Sequence, residues 1–260
     1  MTRLASSLVA TAFLATLVPG VTGSAGAADL KVISAGAVRG LISQIIDDYS
    51  QKTGQKFDFT IGTTGQLRNI IASGQPADLL IVSVPLMGEL EKTGNFIPGS
   101  RADLGRVGIG VVIREAAAAP DIATPDAFKK ALVEAHSVAY TNPAAGGTSG
   151  IYFTALAERL GISDAIKKKA TLTQGGREAA IEVAEGRAEM AIIYISEGLA
   201  LKGVKVAGLL PPALQDSSAY AAAIPTASTD PTAARAFIAA LASPAMAERW
   251  RANGFEPPGR

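Results

Sequence analysis

Leu30-Lys31-Val32-Ile33-Ser34-Ala35-Gly36-Ala37-Val38-Arg39 passes from an apolar strand into a helix through small residues alone. Residues 30–34 have strand composition, and Leu41, Ile45 and Ile46 then fall on one helical stripe. The device returns immediately: a strand at 56–61, the turn Gly62-Thr63-Thr64-Gly65, and a helix over 66–73 stopped by Pro76. A third strand follows at 78–83 and a helix at 85–93. Apolar strands separated by amphipathic helices need right-handed crossovers, so this half predicts an α/β fold with a largely parallel sheet covered on both faces.

Downstream, residues 106–114 alternate like a crossing strand, and a second series begins with Thr124 as cap and Pro125 in the first helical turn. Strands are expected at 137–141, 171–173, 190–194, 204–209 and 220–224, with helices at 150–160 and 177–185. Two terminal helices start at Asp230-Pro231 and Ser243-Pro244. The economical organisation is two α/β lobes joined by two crossings: residues 28–108 with 212–260, and residues 109–211. The cleft between them is the expected ligand site.

Ahead of these lobes, residues 1–27 carry Arg3 and no acid, an apolar run at 8–18 and Ala25-Gly26-Ala27. That pattern predicts a secretory signal cleaved after Ala27, and a soluble periplasmic product. Losing Arg3 with it leaves 23 basic and 23 acidic residues. A neutral chain without a dense basic stretch excludes nucleic acid as a partner class. Cysteine is absent and histidine occurs once, at His136, which excludes disulfides, thiolate metal sites, cysteine nucleophiles and a lipidated cysteine. No metal or cofactor is expected, and no oligomer signal stands out, so a monomer is expected. Phosphate-loop, dinucleotide and G-x-S-x-G patterns are missing, and neither repeats nor cross-linking residues suggest a structural module.

The chemistry is concentrated where strands meet helix starts: Ser34-Ala35-Gly36-Ala37, Gly62-Thr63-Thr64-Gly65, Ala145-Gly146-Gly147-Thr148-Ser149-Gly150 and Gln174-Gly175-Gly176-Arg177. Helix starts present free amides and a partial positive field, so several facing one cleft make an anion receptor without net basic charge. Thr63, Thr64 and Thr148 add hydroxyl donors. Arg39 and Arg177 each lie in a first helical turn beside such a loop, where a guanidinium can clamp a carboxylate in bidentate fashion. Tyr194 ends an apolar strand and can offer its hydroxyl to the same cleft. A small oxyanion or carboxylate is the ligand class this implies.

These loops, with Ile33-Ser34-Ala35-Gly36-Ala37, Gly74-Gln75-Pro76-Ala77-Asp78-Leu79, the run from Gly186-Arg187-Ala188-Glu189 to Ile193-Tyr194, and Leu241-Ala242-Ser243-Pro244, make the chain resemble the periplasmic solute-binding proteins of the molybdate-binding type. The resemblance implies two lobes closing around an oxyanion, contacts from Ser34, Thr64, Gly147, Gly176 and Tyr194, and an ABC-type importer permease as partner. Two departures stand out: Ala35-Gly36-Ala37-Val38-Arg39 replaces an Ala-Ala-Ser-Leu opening, and Thr63-Thr64 replaces Gly-Ser-Ser. Together with Pro98-Gly99-Ser100-Arg101-Ala102-Asp103-Leu104, they are similar to a divergent branch, the aconitate isomerases. That branch implies the alternative activity, interconversion of cis- and trans-aconitate by allylic proton transfer. A base would then be required, and Glu178, Glu197, Tyr194 and Asp58 are the formal candidates.

Overall fold

Short apolar strands become buried on both faces when each is followed by a helix that folds back over the sheet. In the computed structural model, which describes residues 28–257, this happens twice. The expected signal segment lies outside the described residues. The first series is β1 (Leu30–Ala35), α1 (Arg39–Thr53), β2 (Phe57–Gly62), α2 (Thr64–Ala72), β3 (Leu79–Ser83) and α3 (Val84–Glu91), leading into a long strand, β4 (Ala102–Arg114). The second is α4 (Pro125–Glu134), β5 (Val138–Thr141), α5 (Thr148–Arg159), α6 (Ser163–Lys167), β6 (Ala170–Thr173), α7 (Gly176–Ala184), β7 (Met190–Tyr194), α8 (Ile195–Leu199) and β8 (Val204–Leu209). The chain returns through β9 (Ser217–Ala223), α9 (Pro231–Leu241), α10 (Ala247–Ala252) and β10 (Phe255–Glu256).

The sheet order is β2-β1-β3-β9-β4-β7-β5-β6, with β8 and β10 also paired to β4. Each end of this order is a parallel triplet, β2-β1-β3 and β6-β5-β7. The middle differs from the largely parallel expectation, because β9 and β4 pair antiparallel with every neighbour. The reason lies in β4, a strand long enough to serve both triplets. Ala102 to Gly108 pair with β9, while residues from Ile109 onward pair with β7 and β8.

Local rules place the helix starts. Thr63 forms a capping box with Gln66 at the head of α2, Thr124 accepts from the Ala127 amide at 3.1 Å, and Asp230 accepts from the Ala233 amide at 2.9 Å. Fully buried Leu30, Ile33, Leu79, Ile81 and Phe237 belong to the core, and Phe128 and Phe153 fill it beneath α4 and α5. Asp78 ties the ends of the chain together. Its carboxylate accepts from the Lys31 amide at 2.9 Å, and from the Thr229 amide at 2.6 Å and the Thr229 hydroxyl at 2.9 Å. Burial works against this charge, but the converging donors hold the carboxyl below its ordinary range. Among the described residues no helix is long and apolar enough to cross a membrane.

Candidate functional site

The turn before α1 and the starts of α2, α5 and α7 converge on one cavity of about 270 Å³. Arg39, Thr63, Thr64, Gly147, Thr148, Gly176, Arg177 and Tyr194 all line it. Ser34 is placed elsewhere: it is fully buried at the end of β1, and its hydroxyl donates to the Ala35 carbonyl at 3.4 Å. Asp58 is exposed on β2 and contributes nothing to the lining, whereas Glu178 and Glu197 both do. Tyr220, on β9, and Gln66, on α2, line the cavity without having been singled out by sequence.

The helix starts are not equivalent. At α2 the Thr63 side chain accepts from the Gln66 amide at 3.3 Å and also donates to the Ala145 carbonyl across the cleft. Beside it the Gly65 amide donates to the Gly146 carbonyl at 3.1 Å. These backbones touch because neither residue has a side chain: a Cβ on Gly65 would stand 2.7 Å from the Gly146 Cα, and Gly146 itself has φ +70°. On the other flank the Ser196 hydroxyl donates to the Ala37 carbonyl at 2.8 Å. At α5 and α7 the caps are Gly147 and Gly175, which supply no side-chain acceptor. The first amides of α5 are therefore left for whatever occupies the cavity, while the Gly176 amide at the start of α7 is turned to the Glu197 carboxyl.

Glu197 sits at the meeting point of these elements. Its Oε2 is buried without a hydrogen-bond partner. A Cβ on Gly176 would collide with that same oxygen, so the first residue of α7 is bare where the carboxyl lies against it. On the opposite side, the Cβ position of Gly36 lies 3.7 Å from Oε1. Burial pushes the carboxyl up to about 8, and the charge of Glu178 adds to the shift, while the amides of Gly176 and Tyr194 oppose it. Glu197 is thus mostly neutral at pH 7.

Two phenols complete the interior. Burial pushes Tyr194 up to about 12, partly offset by its hydrogen bond of 3.0 Å with Thr148. Tyr220, fully enclosed, is raised for the same primary reason, with Tyr194 and Glu197 adding to it. Both remain protonated and can donate. The cations of the cavity are Arg39, exposed at the head of α1, and Arg177, half-buried in the first turn of α7. Neither is within 4 Å of an acidic side chain among the described residues' ion pairs. The cavity therefore holds two guanidiniums outside any ion pair among the described residues, two helix starts without a side-chain cap, neutral hydroxyl donors, the buried acid Glu197 and, at its rim, the exposed acid Glu178.

Comparison with known proteins agrees with this architecture. The model of the family described as bacterial extracellular solute-binding protein matches residues 30–256. Aconitate isomerase of a Pseudomonas species is 33% identical over 234 residues, spanning 88% of this chain and 87% of that protein. The periplasmic molybdate-binding protein of Azotobacter vinelandii is similar in structure with a TM-score of 0.74 at 19% identity, over 89% of this chain and 100% of that one. The sulfate-binding protein SubI of Mycobacterium tuberculosis H37Rv gives 0.66, also at 19% identity, over 88% of this chain and 86% of that one. These solved relatives share the two-lobe fold. Since the family match extends from the first strand to the last and takes in every loop of the cavity, the chain belongs to the bacterial extracellular solute-binding proteins.

Proposed function

We propose that the chain captures a small polycarboxylate, of the size and charge of aconitate, between two lobes formed by residues 28–108 with 212–260 and by residues 109–211, after export to the periplasm. The observation that carries this is a pair of cations outside any ion pair among the described residues: Arg39, on the helix after β1, and Arg177, on the helix between β6 and β7, line one cavity. A ligand with two separated carboxylates answers both, and its remaining oxygens find the open amides of α5 and the hydroxyls of Thr64, Thr148 and Tyr194. Ser34, with its hydroxyl turned into the fold, is left out of this set. Glu197 supports a polycarboxylate over a bare tetrahedral oxyanion, because its own carboxyl already rests against Gly176. As a receptor the chain would deliver this anion to an ABC-type permease. Calorimetry at pH 7 with citrate, cis-aconitate and trans-aconitate, run beside molybdate and sulfate, tests the ligand class. We expect a polycarboxylate to bind at least tenfold tighter than either inorganic anion; the opposite ranking overturns the proposal.

A second reading is favoured by a separate observation, the 33% identity to aconitate isomerase across 88% of the chain. On this reading the cavity converts its ligand as well as holding it, interchanging cis- and trans-aconitate. Following cis-aconitate by proton NMR in the presence of the purified chain is the direct test. Accumulation of the trans isomer supports catalysis, and an unchanged spectrum at saturating protein leaves a receptor.

A further inference from the structure

The titratable groups of the cavity differ in what they can do to a bound carbon acid. Tyr194 shares a hydrogen bond with Thr148, and burial keeps its phenol protonated, so it can donate to a ligand but not take a proton from it. Tyr220 is enclosed in the same way. Glu178 is exposed at the rim, folded back toward the Cβ position of Gly175, where it borders the first turn of α7. Glu197 alone combines a place in the cavity wall with a buried carboxyl oxygen that the protein leaves without a partner. A buried acceptor left open costs free energy unless a ligand completes it.

We propose that Glu197 is the catalytic residue that carries a proton between the two ends of an allylic carboxylate held in this cavity. The proposal rests on the isomerase reading above and adds the group that performs it. In the ionised form, the Glu197 carboxylate takes a proton from the methylene carbon beside a ligand carboxylate: the carbon–hydrogen bond breaks and an oxygen–hydrogen bond forms. The released pair becomes a new double bond to the central carbon. The original double bond supplies the pair that takes a proton back from Glu197 at its far carbon, after the carboxyl has exchanged with solvent in a share of the turnovers. One proton leaves and one returns, so no oxidant, reductant or metal enters the balance. The negative charge that spreads over the allyl unit and its carboxylates is met by the guanidiniums of Arg177 and Arg39 and by the open start of α5. The carboxyl faces Glu178 and Gly176 of α7, the Tyr194 end of β7, Tyr220 of β9 and Gly36 before α1. Held up to about 8, the carboxyl can serve near neutral pH as the acid and, once ionised, as the base.

The test uses the purified chain with cis-aconitate in deuterium oxide, reading trans product and deuterium in the recovered ligand by NMR, with calorimetry on the same samples. Wild type is expected to form product and exchange carbon-bound hydrogen. Glu197→Gln is expected to retain affinity within about threefold and lose exchange by at least about 100-fold, the scale of a missing general base. Exchange by Glu197→Gln at more than a tenth of the wild-type rate overturns the assignment. Wild type that binds aconitate without product or exchange overturns both the assignment and the isomerase reading while the receptor reading stands. Failure of wild type to bind any polycarboxylate removes the receptor reading too. Should Glu197→Gln not fold, Glu197→Asp decides: a lower rate with a displaced pH profile supports the assignment, and an unchanged rate and profile overturns it.

Discussion

The side chain of Gln215 pairs with the backbone of Ile109 as another strand would: its Nε2 donates to the Ile109 carbonyl at 3.0 Å, and its Oε1 accepts from the Ile109 amide at 3.1 Å. Ile109 is the residue where β4 exchanges β9 for β7 as its partner. The same Ile109 amide also donates to the Asp216 carbonyl at 3.1 Å and its carbonyl accepts from the Leu210 amide at 3.0 Å, so Gln215 adds a second partner to each while also accepting from the Asp216 amide at 2.9 Å. One amide side chain thus fastens the two segments that connect the ends of the sheet.

Removing that fastening should be visible as lost stability. Gln215→Ala gives up three hydrogen bonds at a part-buried crossing, and we expect a loss of about 2 kcal/mol by chemical denaturation. Gln215→Glu sets a charged oxygen against the Ile109 carbonyl and beside Asp216, so its midpoint at pH 7 should fall at or below that of the alanine variant. Equal midpoints for wild type and Gln215→Ala would refute the role.

At the head of α7, Gly176→Ala places a methyl group on the Glu197 carboxyl. The expected result is a clear drop in thermal midpoint and weakened ligand binding. The double variant Gly176→Ala/Glu197→Ala should recover part of the lost stability, because the atoms in conflict are gone. A double-mutant cycle measures this coupling, and strict additivity would show that the two sites are independent.

The pH dependence of stability follows from Glu197. Its carboxyl is held up to about 8 in the fold, against 4.5 as the ordinary value, so the folded chain keeps a proton that the unfolded chain has released. The stability linked to that proton is full below about 4.5, declines as pH rises toward about 8, and is absent above it. Glu197→Gln cannot ionise. Its thermal midpoint relative to wild type should therefore be higher at pH 8.5 than at pH 5, by about 3 °C or more, the scale of 1 kcal/mol in a chain of this size. A difference independent of pH would place the carboxyl in water.

Arg177 and Arg39 should separate binding from folding. Arg177→Ala is expected to weaken polycarboxylate binding by more than about 1.5 kcal/mol, the scale of a charged hydrogen bond, with little change in thermal midpoint. Arg39→Ala, at a more exposed position, should cost less. Titration calorimetry reads both, and an unaltered affinity for Arg177→Ala removes it from the site.

Much of the fold is legible because its signals are local. β7 and β8 coincide with the apolar runs 190–194 and 204–209, and Thr124-Pro125 and Asp230-Pro231 do open helices. Elements decided by distant partners are not. The first residues of β4, Ala102 to Gly105, become strand through pairing with β9, and β10 exists only beside β4. α6 and α8 are single short turns whose sequences carry little helical pattern. The site divides in the same way. Thr64, Thr148, Gly176, Arg177 and Tyr194 announce themselves by standing between a strand and a helix. The burial of Glu197 does not, since it depends on a bare Gly176 and on Gly36, both far back in the chain. Tyr220 reads as an ordinary strand residue until β9 is seen lying between β3 and β4.

That placement of β9 sets an order of assembly. β5 to β8 and the strand they pair with are all encoded before residue 210, so this half has every strand it needs while the chain is still emerging. The half begun by β1 does not: β3 keeps an unpaired edge until residues 217–223 arrive and fit between strands made long before. The half that starts first is completed last, and its waiting edge is the place where a chaperone has something to protect.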